Sequence, residues 1–554
     1  MLNKYKPIGA LITVYFLAYF LLLLNRGVYW DGWLWFSLLN TGKFSILWSM
    51  IVEQLKIPAT YYIFQFLFFS GQIVLTAKII IFLSWLVAGI SLFNILKIKF
   101  TVREEDAFFI STIFFLIPNF LVRLELTITV YSVCTALFFL AAWLYFIGEK
   151  KSKKYKIALY STSYLLFLAS FFMNSFLVFY GGFLLILLVS YLKLQSNRRI
   201  IRSIFLWFRR YCVMILAPII FWLIKSSFGK PSGVYANTYS FTPFQQSPWH
   251  FLLYSIDCFW NNIVYGLFWP LVYSFNVLER KIFFVIFAII FSIIYIIIRK
   301  TFVPSPNQPE SDGTKSNLYL FISGLVFFII GLIPYFAVNK MPHPYGYGFG
   351  MRHALLLPLG SSLLIFSLIN IFFKEKFKLT LKVLMVSLLI TANIFFYFTA
   401  DMDWYKQLAI INKLGANPEL TNNASIIIFN DQLKDFNWNN RGISTLEYIA
   451  YLYQATHKTD KFGIEYDYVL YKPAWKEILL TYLEHKDYYF LNDYRDYPTM
   501  RQLDIYTDSQ YKTPTAANWL KIKYFEIFAN TENFHKKIDE VFQLKITPKT
   551  FEPI

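Results

Sequence analysis

The sequence has few cysteines and few charged residues. Its 554 residues include three cysteines, and only 15% are Asp, Glu, Lys or Arg. Cys134, Cys212 and Cys258 are isolated, in or beside apolar segments, with neither a disulfide framework nor the paired spacing of a zinc site. We therefore expect three buried, unpaired thiols that pack as small apolar side chains.

Acidic residues are scarce in one part of the chain only. From residue 401 to the end there are 18 Lys/Arg and 21 Asp/Glu, whereas the first 400 residues hold 34 basic and 12 acidic residues. A basic excess confined to loops between apolar segments is what the positive-inside rule produces. The net charge of +19 therefore does not indicate nucleic-acid binding.

Apolar residues are abundant: 57% of the chain is hydrophobic and 21% is aromatic. This composition is typical of a polytopic α-helical membrane protein. Apolar runs of about 17–25 residues mark candidate spans. We predict about eleven of them, at 8–25, 73–96, 107–122, 127–147, 157–172, 175–192, 211–227, 282–298, 318–338, 354–373 and 381–399.

Charge gives the orientation of these spans. With the N-terminus in the cytoplasm, 23 of the 34 basic residues of the first 400 fall in inner segments. The run 8–24 is long enough to span and lacks a small-residue cleavage site after it, so we interpret it as a retained anchor. The prediction is a multi-pass protein of the cell membrane in which residues 1–400 form a transmembrane domain.

An odd number of spans places residues 401–554 on the extracytoplasmic side. Ile426–Phe429 has the composition of a buried strand, and Ser444 with Glu447 forms a capping box that opens a helix. We therefore predict a soluble extracytoplasmic α/β domain. The first outer loop, 26–72, contains segments 33–39 and 44–55 with apolar residues at helical spacing, typical of interfacial helices.

Asp31 is the leading catalytic candidate. It follows the first span within Tyr-Trp-Asp-Gly-Trp and is one of five acidic residues that this topology places outside. Glu53 fits solvated surface. Glu125, in the short turn between the third and fourth spans, has two interpretations: an Arg123–Glu125 pair that holds two helix ends, or a second carboxylate that faces Asp31.

The loop 341–353 supplies substrate-binding candidates. Its glycines allow close approach of backbone to a ligand, and Tyr345 and Tyr347 could stack on a sugar. Arg352 offers a planar fork suited to phosphate, and His353 could act as acid or donor. The alternative is an interfacial loop with a snorkelling arginine and a structural histidine.

Three further substrate-binding candidates each have a structural interpretation beside the functional one. Lys78 could add charge to the same phosphate or snorkel, and Arg123 could bind substrate or pair with Glu125. Trp30 could stack on a sugar, or it could belong, with Trp33 and Trp35, to the aromatic belt of the membrane interface.

This layout resembles the GT-C superfamily of integral membrane glycosyltransferases that use polyprenyl-phosphate-linked sugars, such as protein O-mannosyltransferases and the lipid A aminoarabinose transferase. The features that carry the resemblance are Asp31 after the first span, the two interfacial segments, Glu125 after the third span, Arg352 in a late outer loop and the terminal extracytoplasmic domain. The resemblance covers the overall layout and about sixty residues in detail. In several members the essential Asp is followed by a second acidic residue, whereas Asp31 is followed by Gly32-Trp33.

The resemblance implies a reaction. A sugar would pass from a polyprenyl-phosphate donor to a glycan, lipid or protein acceptor outside the cytoplasm, with Asp31 as general base, Arg352 on the leaving phosphate and inversion at the anomeric carbon. Asp31 and Glu125 could share a divalent cation, but no Asp-x-Asp lies beside Asp31 and no metal ligands are assigned. The alternatives are a polysaccharide polymerase or ligase, and a lipid or glycan transporter without enzymatic activity.

Overall fold

The computed structural model describes residues 6–117, 122–194, 200–236, 248–265, 268, 272, 280–301, 313–342, 348–422, 424–438, 441–471, 475–494, 500–507 and 515–551. Most of them are helical. The helices before the C-terminal region are α1 Lys6–Leu24, α2 Gly32–Asn40, α3 Phe44–Trp48, α4 Pro58–Phe69, α5 Ile73–Lys99, α6 Glu104–Leu116, α7 Ile128–Glu149, α8 Lys153–Ser170, α9 Ser175–Leu194, α10 Ile200–Ser226, α11 Pro248–Phe259, α12 Arg280–Thr301, α13 Gly313–Phe336, α14 Leu357–Phe372 and α15 Glu375–Ala416.

The predicted spans coincide with these helices. Among the described residues, seven helices are long and apolar enough to cross a membrane: Pro7–Leu24, Ile73–Lys99, Ile128–Glu149, Ser175–Leu192, Ile201–Ser226, Asn317–Phe336 and Glu375–Ala416. The other predicted spans fall on helices that are shorter or more polar, such as α6 and α8. The predicted class, a helical polytopic membrane protein followed by a small α/β unit, is confirmed.

Helix α15 joins the two parts of the molecule. It has 42 residues, about 63 Å at 1.5 Å per residue, roughly twice the thickness of a bilayer core. The domain boundary that we placed at residue 400 therefore falls inside a helix. No Gly or Pro interrupts the chain between residues 381 and 414, so nothing in this stretch ends the helix at the membrane surface.

The C-terminal region is built on a four-stranded sheet of order β2-β1-β3-β4. Strands β1 and β2 are parallel, β1 and β3 are parallel, and β3 and β4 are antiparallel. Its elements are β1 Ile426–Asp431, α16 Thr445–Thr456, β2 Phe462–Glu465, α17 Tyr466–Tyr471, α18 Trp475–Glu484, β3 Met500–Thr507, α19 Ala516–Phe528, α20 Thr531–Phe542 and β4 Leu544–Thr550.

The predicted local signals of this region are confirmed. Ile427, Ile428 and Phe429 are fully buried in β1. Ser444 and Glu447 form the expected capping box at the start of α16, with both reciprocal hydrogen bonds present. The unit is α/β because buried apolar strands alternate with amphipathic helices.

The first outer loop differs from the expectation of two interfacial helices. Most of α2 is buried, including Trp33, Leu34 and Trp35, because the helix packs beneath α16 of the C-terminal region. The large exposed apolar residues of this loop lie on α4, at Tyr62, Phe66 and Phe69, and at Trp48 in the second predicted segment, 44–55. The interfacial role that we assigned to 33–39 therefore fits α4 better.

The cysteines follow the prediction only in part. Cys134 and Cys258 are buried and unpaired, but Cys212 is exposed on α10. Its neighbours Val213, Leu216 and Ile220 are also exposed. An apolar helix face that lacks protein contacts is the expected surface of a span against lipid.

Candidate active site

Asp31 lies at the junction between the end of α1 and the start of α2. Trp30 before it has φ of +47°, a conformation that bulky residues rarely adopt. The reversal lets the Gly32 N–H donate to the Tyr29 carbonyl at 3.0 Å. Asp31 makes no side-chain cap to α2, and half of its side chain is accessible, so the carboxylate remains available to a ligand.

Glu125 lies directly beside this turn. It is fully buried, and its Oε2 accepts hydrogen bonds from the backbone N–H groups of Thr127 at 2.7 Å and Ile128 at 3.2 Å. Its Oε1 has no hydrogen-bond partner among the described residues. A Cβ on Gly32 would lie 3.1 Å from that oxygen. The structure thus brings Asp31 and Glu125 together, as one of the two interpretations expected.

Arg352 also lies beside Asp31. Its Nη1 is 3.9 Å from Asp31 Oδ2, and the two residues are more than three hundred positions apart in the sequence. The residue belongs to the short 3₁₀ segment Gly348–Ala354 that precedes α14. A mostly buried guanidinium therefore lies beside a half-accessible carboxylate.

The electrostatics of the two carboxylates differ. Burial raises the pKa of Asp31, while the charge of Arg352 lowers it. Half of the Asp31 side chain is accessible, yet the protein around it still desolvates the carboxylate. Burial, with a smaller contribution from the charge of Asp31, raises the pKa of Glu125 to about 8 although Thr127 opposes it. Near neutral pH Glu125 is therefore mostly protonated.

His353 lies next to Arg352 but is buried against Tyr335, with ring centroids 5.2 Å apart. Burial, together with the charges of Arg352 and Lys340, lowers its pKa to about 3. The imidazole is therefore neutral and packed. Tyr345 and Tyr347 lie outside the described residues.

Arg123 does not pair with Glu125 in the described part of the chain. Its guanidinium stacks on Tyr19 and Trp85, 4.5 Å and 4.2 Å from the ring centroids. Its Nη2 donates to the Phe115 carbonyl at 3.1 Å. Between two aromatic faces, the cation is held by the ring quadrupoles and one carbonyl rather than by a carboxylate. It therefore links α1, α5 and α6.

Lys78 is buried rather than snorkelling. Its Nζ donates to Asn25 Oδ1 at 2.9 Å and to the Gly27 carbonyl at 3.2 Å. Asn25 Nδ2 in turn donates to Asp401 Oδ1 at 2.6 Å, and Lys523 Nζ lies 3.1 Å from Asp401 Oδ2. Lys78 thus holds the segment that leads to Asp31.

Trp30 is also buried, and it belongs neither to an aromatic belt nor to an open sugar-binding surface. Its ring packs 5.1 Å from that of Trp438 and 5.3 Å from the Arg441 guanidinium. Trp33 is buried as well, and its Nε1 donates to Gln407 at 3.0 Å. The tryptophans indicated a membrane–water interface. Trp30 and Trp33 lie instead where the first outer loop packs against the C-terminal region.

Sequence reasoning missed the residues of α15 and of the C-terminal region that hold the turn at Trp30 and Asp31. The Trp30 N–H donates to Glu447 Oε1 at 3.1 Å. Glu447 accepts from Arg441 Nη1 at 2.7 Å and 2.8 Å, and Arg441 Nε donates to Asp403 Oδ2 at 2.6 Å. All four residues are buried. The available signals were the Asp401-Met-Asp403 pair at the end of the last span and the capping box, which explained only a helix start.

The C-terminal region also brings aromatic rings near Asp31. Burial, and then the charge of Asp31, raises the pKa of Tyr489 to about 12. The same two causes, with neighbouring tyrosines, raise the pKa of Tyr482. The two rings are 4.4 Å apart. Paired tyrosine rings of this kind offer an apolar face and a polar hydroxyl to a ligand.

The described residues contain no group of three His, Cys, Asp or Glu side chains arranged to hold a metal ion. Asp31 and Glu125 give two carboxylates. Any cation held between them would need its remaining ligands from a substrate phosphate or water.

No protein-family model matches this sequence, and no curated protein matches it. Among solved structures, the chain is similar to the crystal structure of ArnT from Cupriavidus metallidurans bound to undecaprenyl phosphate. The match has 12% sequence identity and a TM-score of 0.31, and it covers 92% of this chain and 96% of that one. A TM-score this low does not establish a shared fold, so the function below rests on this chain's own contacts.

Proposed function

We propose that this protein is a membrane glycosyltransferase that moves a sugar from a polyprenyl-phosphate carrier to an acceptor on the extracytoplasmic side. The observation that carries the proposal is the accessible Asp31 carboxylate, with Arg352 Nη1 at 3.9 Å and the buried Glu125 behind it. A base and an anion-binding fork at the mouth of a membrane-embedded helix bundle are what such a transfer needs.

Asp31 is the general base. A hydroxyl of the acceptor attacks the anomeric carbon, its proton passes to an Asp31 oxygen, and the bond from that carbon to the phosphate oxygen breaks. Attack opposite the leaving group inverts the configuration. The raised pKa of Asp31 favours this role, because a base whose pKa is closer to the working pH accepts a proton more readily.

Arg352 receives the leaving group. Charge develops on the phosphate oxygen as the bond breaks, and a guanidinium fork stabilises it. A contact of 3.9 Å to Asp31 is a loose ion pair, which a bound phosphate can displace. His353, neutral and buried, positions Arg352 by packing rather than carrying a charge of its own.

Glu125 keeps Asp31 ionised. A mostly protonated neighbour adds no second negative charge, and its proton can be donated toward Asp31 or the acceptor. A divalent cation shared by Asp31 and Glu125 would compete with that proton, because a metal requires the ionised carboxylate. Addition of a chelator to the purified protein tests this point directly.

The C-terminal region would select the acceptor. It covers the first outer loop and places Tyr482 and Tyr489 within electrostatic reach of Asp31. The proposed topology has a cytoplasmic N-terminus and an extracytoplasmic C-terminal region. The acceptor class, whether glycan, lipid or protein, is then set by what these tyrosines contact.

The test is turnover of polyprenyl-phosphate sugars by the purified protein in proteoliposomes. We expect release of free polyprenyl phosphate with at least one donor, and loss of about 10²- to 10⁴-fold in kcat for Asp31→Asn, the usual contribution of a general base. Glu53→Gln is the matched control, an exposed carboxylate of the same outer loop, and should retain turnover.

Three results would contradict the proposal. Equal turnover by wild type and Asp31→Asn would remove Asp31 from the chemistry. Donor consumption that yields polyprenyl-linked polymer would favour the polymerase. Lipid movement between leaflets without sugar transfer would favour the transporter.

A further inference from the structure

Helix α19, Ala516–Phe528, exposes an apolar stripe. A surface helix normally turns its apolar stripe toward the core and its polar side toward water. Here Asn518, Ile522 and Lys523 are buried, whereas Leu520, Tyr524, Ile527 and Phe528 are 51–73% exposed.

The exposed residues form one continuous stripe. Positions 520, 524, 527 and 528 recur at the four- and three-residue steps that place side chains on a single face. The rings of Tyr524 and Phe528 contact each other on this face, with centroids 5.2 Å apart. Exposure of this apolar surface to water is unfavourable, and contiguous exposed patches of this kind mark interaction sites.

The buried side of α19 fixes where the helix lies. Lys523 Nζ donates to the carbonyl of Leu24, the last residue of α1, at 2.9 Å. Trp519 packs on Phe398 of α15, with ring centroids 5.5 Å apart. Helix α19 is therefore attached to the outer ends of two spans.

This attachment sets its depth. Helix α1 has 19 residues, about 28 Å long, which matches a hydrocarbon core of about 30 Å. Leu24 then lies at the outer boundary of that core. It is itself exposed, as are Ile12 and Phe16 on the same helix, so the stripe of α19 continues the lipid-facing surface of α1.

We propose that α19 is an interfacial membrane helix whose stripe Leu520, Tyr524, Ile527 and Phe528 inserts into the outer leaflet and seats the C-terminal region on the bilayer. Aromatic and apolar side chains at headgroup depth are the composition of such helices. Lys521, exposed on the same side, extends toward lipid phosphates. Lys523 and Asp401 then transmit this seating to the segment that carries Asp31.

The test measures lipid contact in the full-length protein. Cys134, Cys212 and Cys258 are replaced by alanine, and the protein is accepted if its thermal unfolding is unchanged. A single cysteine is then introduced as Phe528→Cys and labelled with an environment-sensitive fluorophore. Glu532→Cys, on the exposed first turn of α20, is the matched control. Both proteins are reconstituted at one copy per lipid nanodisc.

Quenching identifies the surroundings of the label. We expect lipids with a doxyl group high on the acyl chain to quench the label at 528 several-fold more than at 532, and aqueous iodide to show the reverse order. Iodide quenching at 528 equal to that at 532, with no doxyl effect, would overturn the proposal.

Two further outcomes are decisive. Protection from both quenchers in single-copy nanodiscs would mean that the chain's own residues cover the stripe, which also overturns the proposal. Protection that appears only when two copies share a disc would assign the stripe to a second copy instead. None of these readouts depends on sugar transfer, so they stand apart from the proposed activity.

Discussion

Glu125 shows how much one side chain can do at this site. One oxygen accepts the N–H groups of Thr127 and Ile128 at the start of α7, while the other faces the turn at Gly32 and has no partner in the part of the chain that the structure describes. A buried acceptor without a donor is costly when ionised. Protonation converts that oxygen into a donor, which is why burial raises the pKa.

This state predicts a pH dependence of stability. The pKa of Glu125 is raised from 4.5 to about 8 in the folded protein, so folding favours the protonated form. That stabilisation is fully present below the unfolded pKa and is lost as pH rises through about 8. We expect the unfolding midpoint of wild type to fall over this range, and that of Glu125→Gln to fall less.

Thermal unfolding of the detergent-purified protein, measured from about pH 5 to pH 9, provides the comparison. Glu53→Gln is the control, because this exposed residue should leave the wild-type profile unchanged. A Glu125→Gln profile that falls as steeply as wild type would show that another group titrates.

At the scale of elements, the start of α2 decides where Asp31 points. The positive φ of Trp30 reverses the chain, and Gly32 lets α2 begin against Glu125 and Leu126. A Cβ there would meet Glu125 Oε1 at 3.1 Å and the Leu126 nitrogen at 3.5 Å. Glycine is therefore needed at this position for close approach rather than for its backbone freedom.

Gly32→Ala should separate α2 from Glu125 by a few tenths of an ångström. We expect roughly a tenfold loss of kcat with little loss of stability, because misplacement of a catalytic group by a fraction of an ångström lowers the rate substantially. Gly9→Ala is the matched control, since a Cβ at Gly9 meets nothing within 4 Å. The measurement is steady-state sugar transfer, and equal rates for the two variants would contradict the prediction.

At the scale of the whole molecule, the C-terminal region is tied to the membrane part by buried charges. Arg441 bridges Asp403 on α15 and Glu447 on α16, and Glu447 holds the Trp30 backbone. Such pairs contribute little when replaced as a set but are costly to break singly. They hold the turn that carries Asp31 between two parts of the chain.

Arg441→Met should therefore destabilise the protein by about 3–5 kcal/mol, because it leaves two buried carboxylates without their cation. Lys434→Met is the matched control: it breaks an ion pair with Asp467 that is about half exposed on both sides, for which about 0–1 kcal/mol is expected. Denaturant unfolding in mild detergent, followed by tyrosine and tryptophan fluorescence, measures both. Similar losses for the two variants would contradict a bridging role.

Much of the architecture could be predicted because its signals are local. Apolar run length fixes a span, loop charge favours an orientation, and Ser444 with Glu447 specifies a helix start from four consecutive residues. The same patterns did not show that the helix of the last predicted span, 381–399, continues to Ala416.

The sequence by itself determined a helical membrane protein with an α/β tail and singled out Asp31 as an acid without a routine explanation. Only the tertiary structure decided which residues surround Asp31. Arg352 and Glu125 lie beside that carboxylate. Arg123, Lys78 and Trp30 make buried structural contacts instead of lining the site. Asp403, Arg441 and Glu447, which the sequence had not indicated, hold the turn. Local pattern governs hydrogen bonds within a helix and burial in lipid, whereas pairing between distant charges depends on how the helices pack.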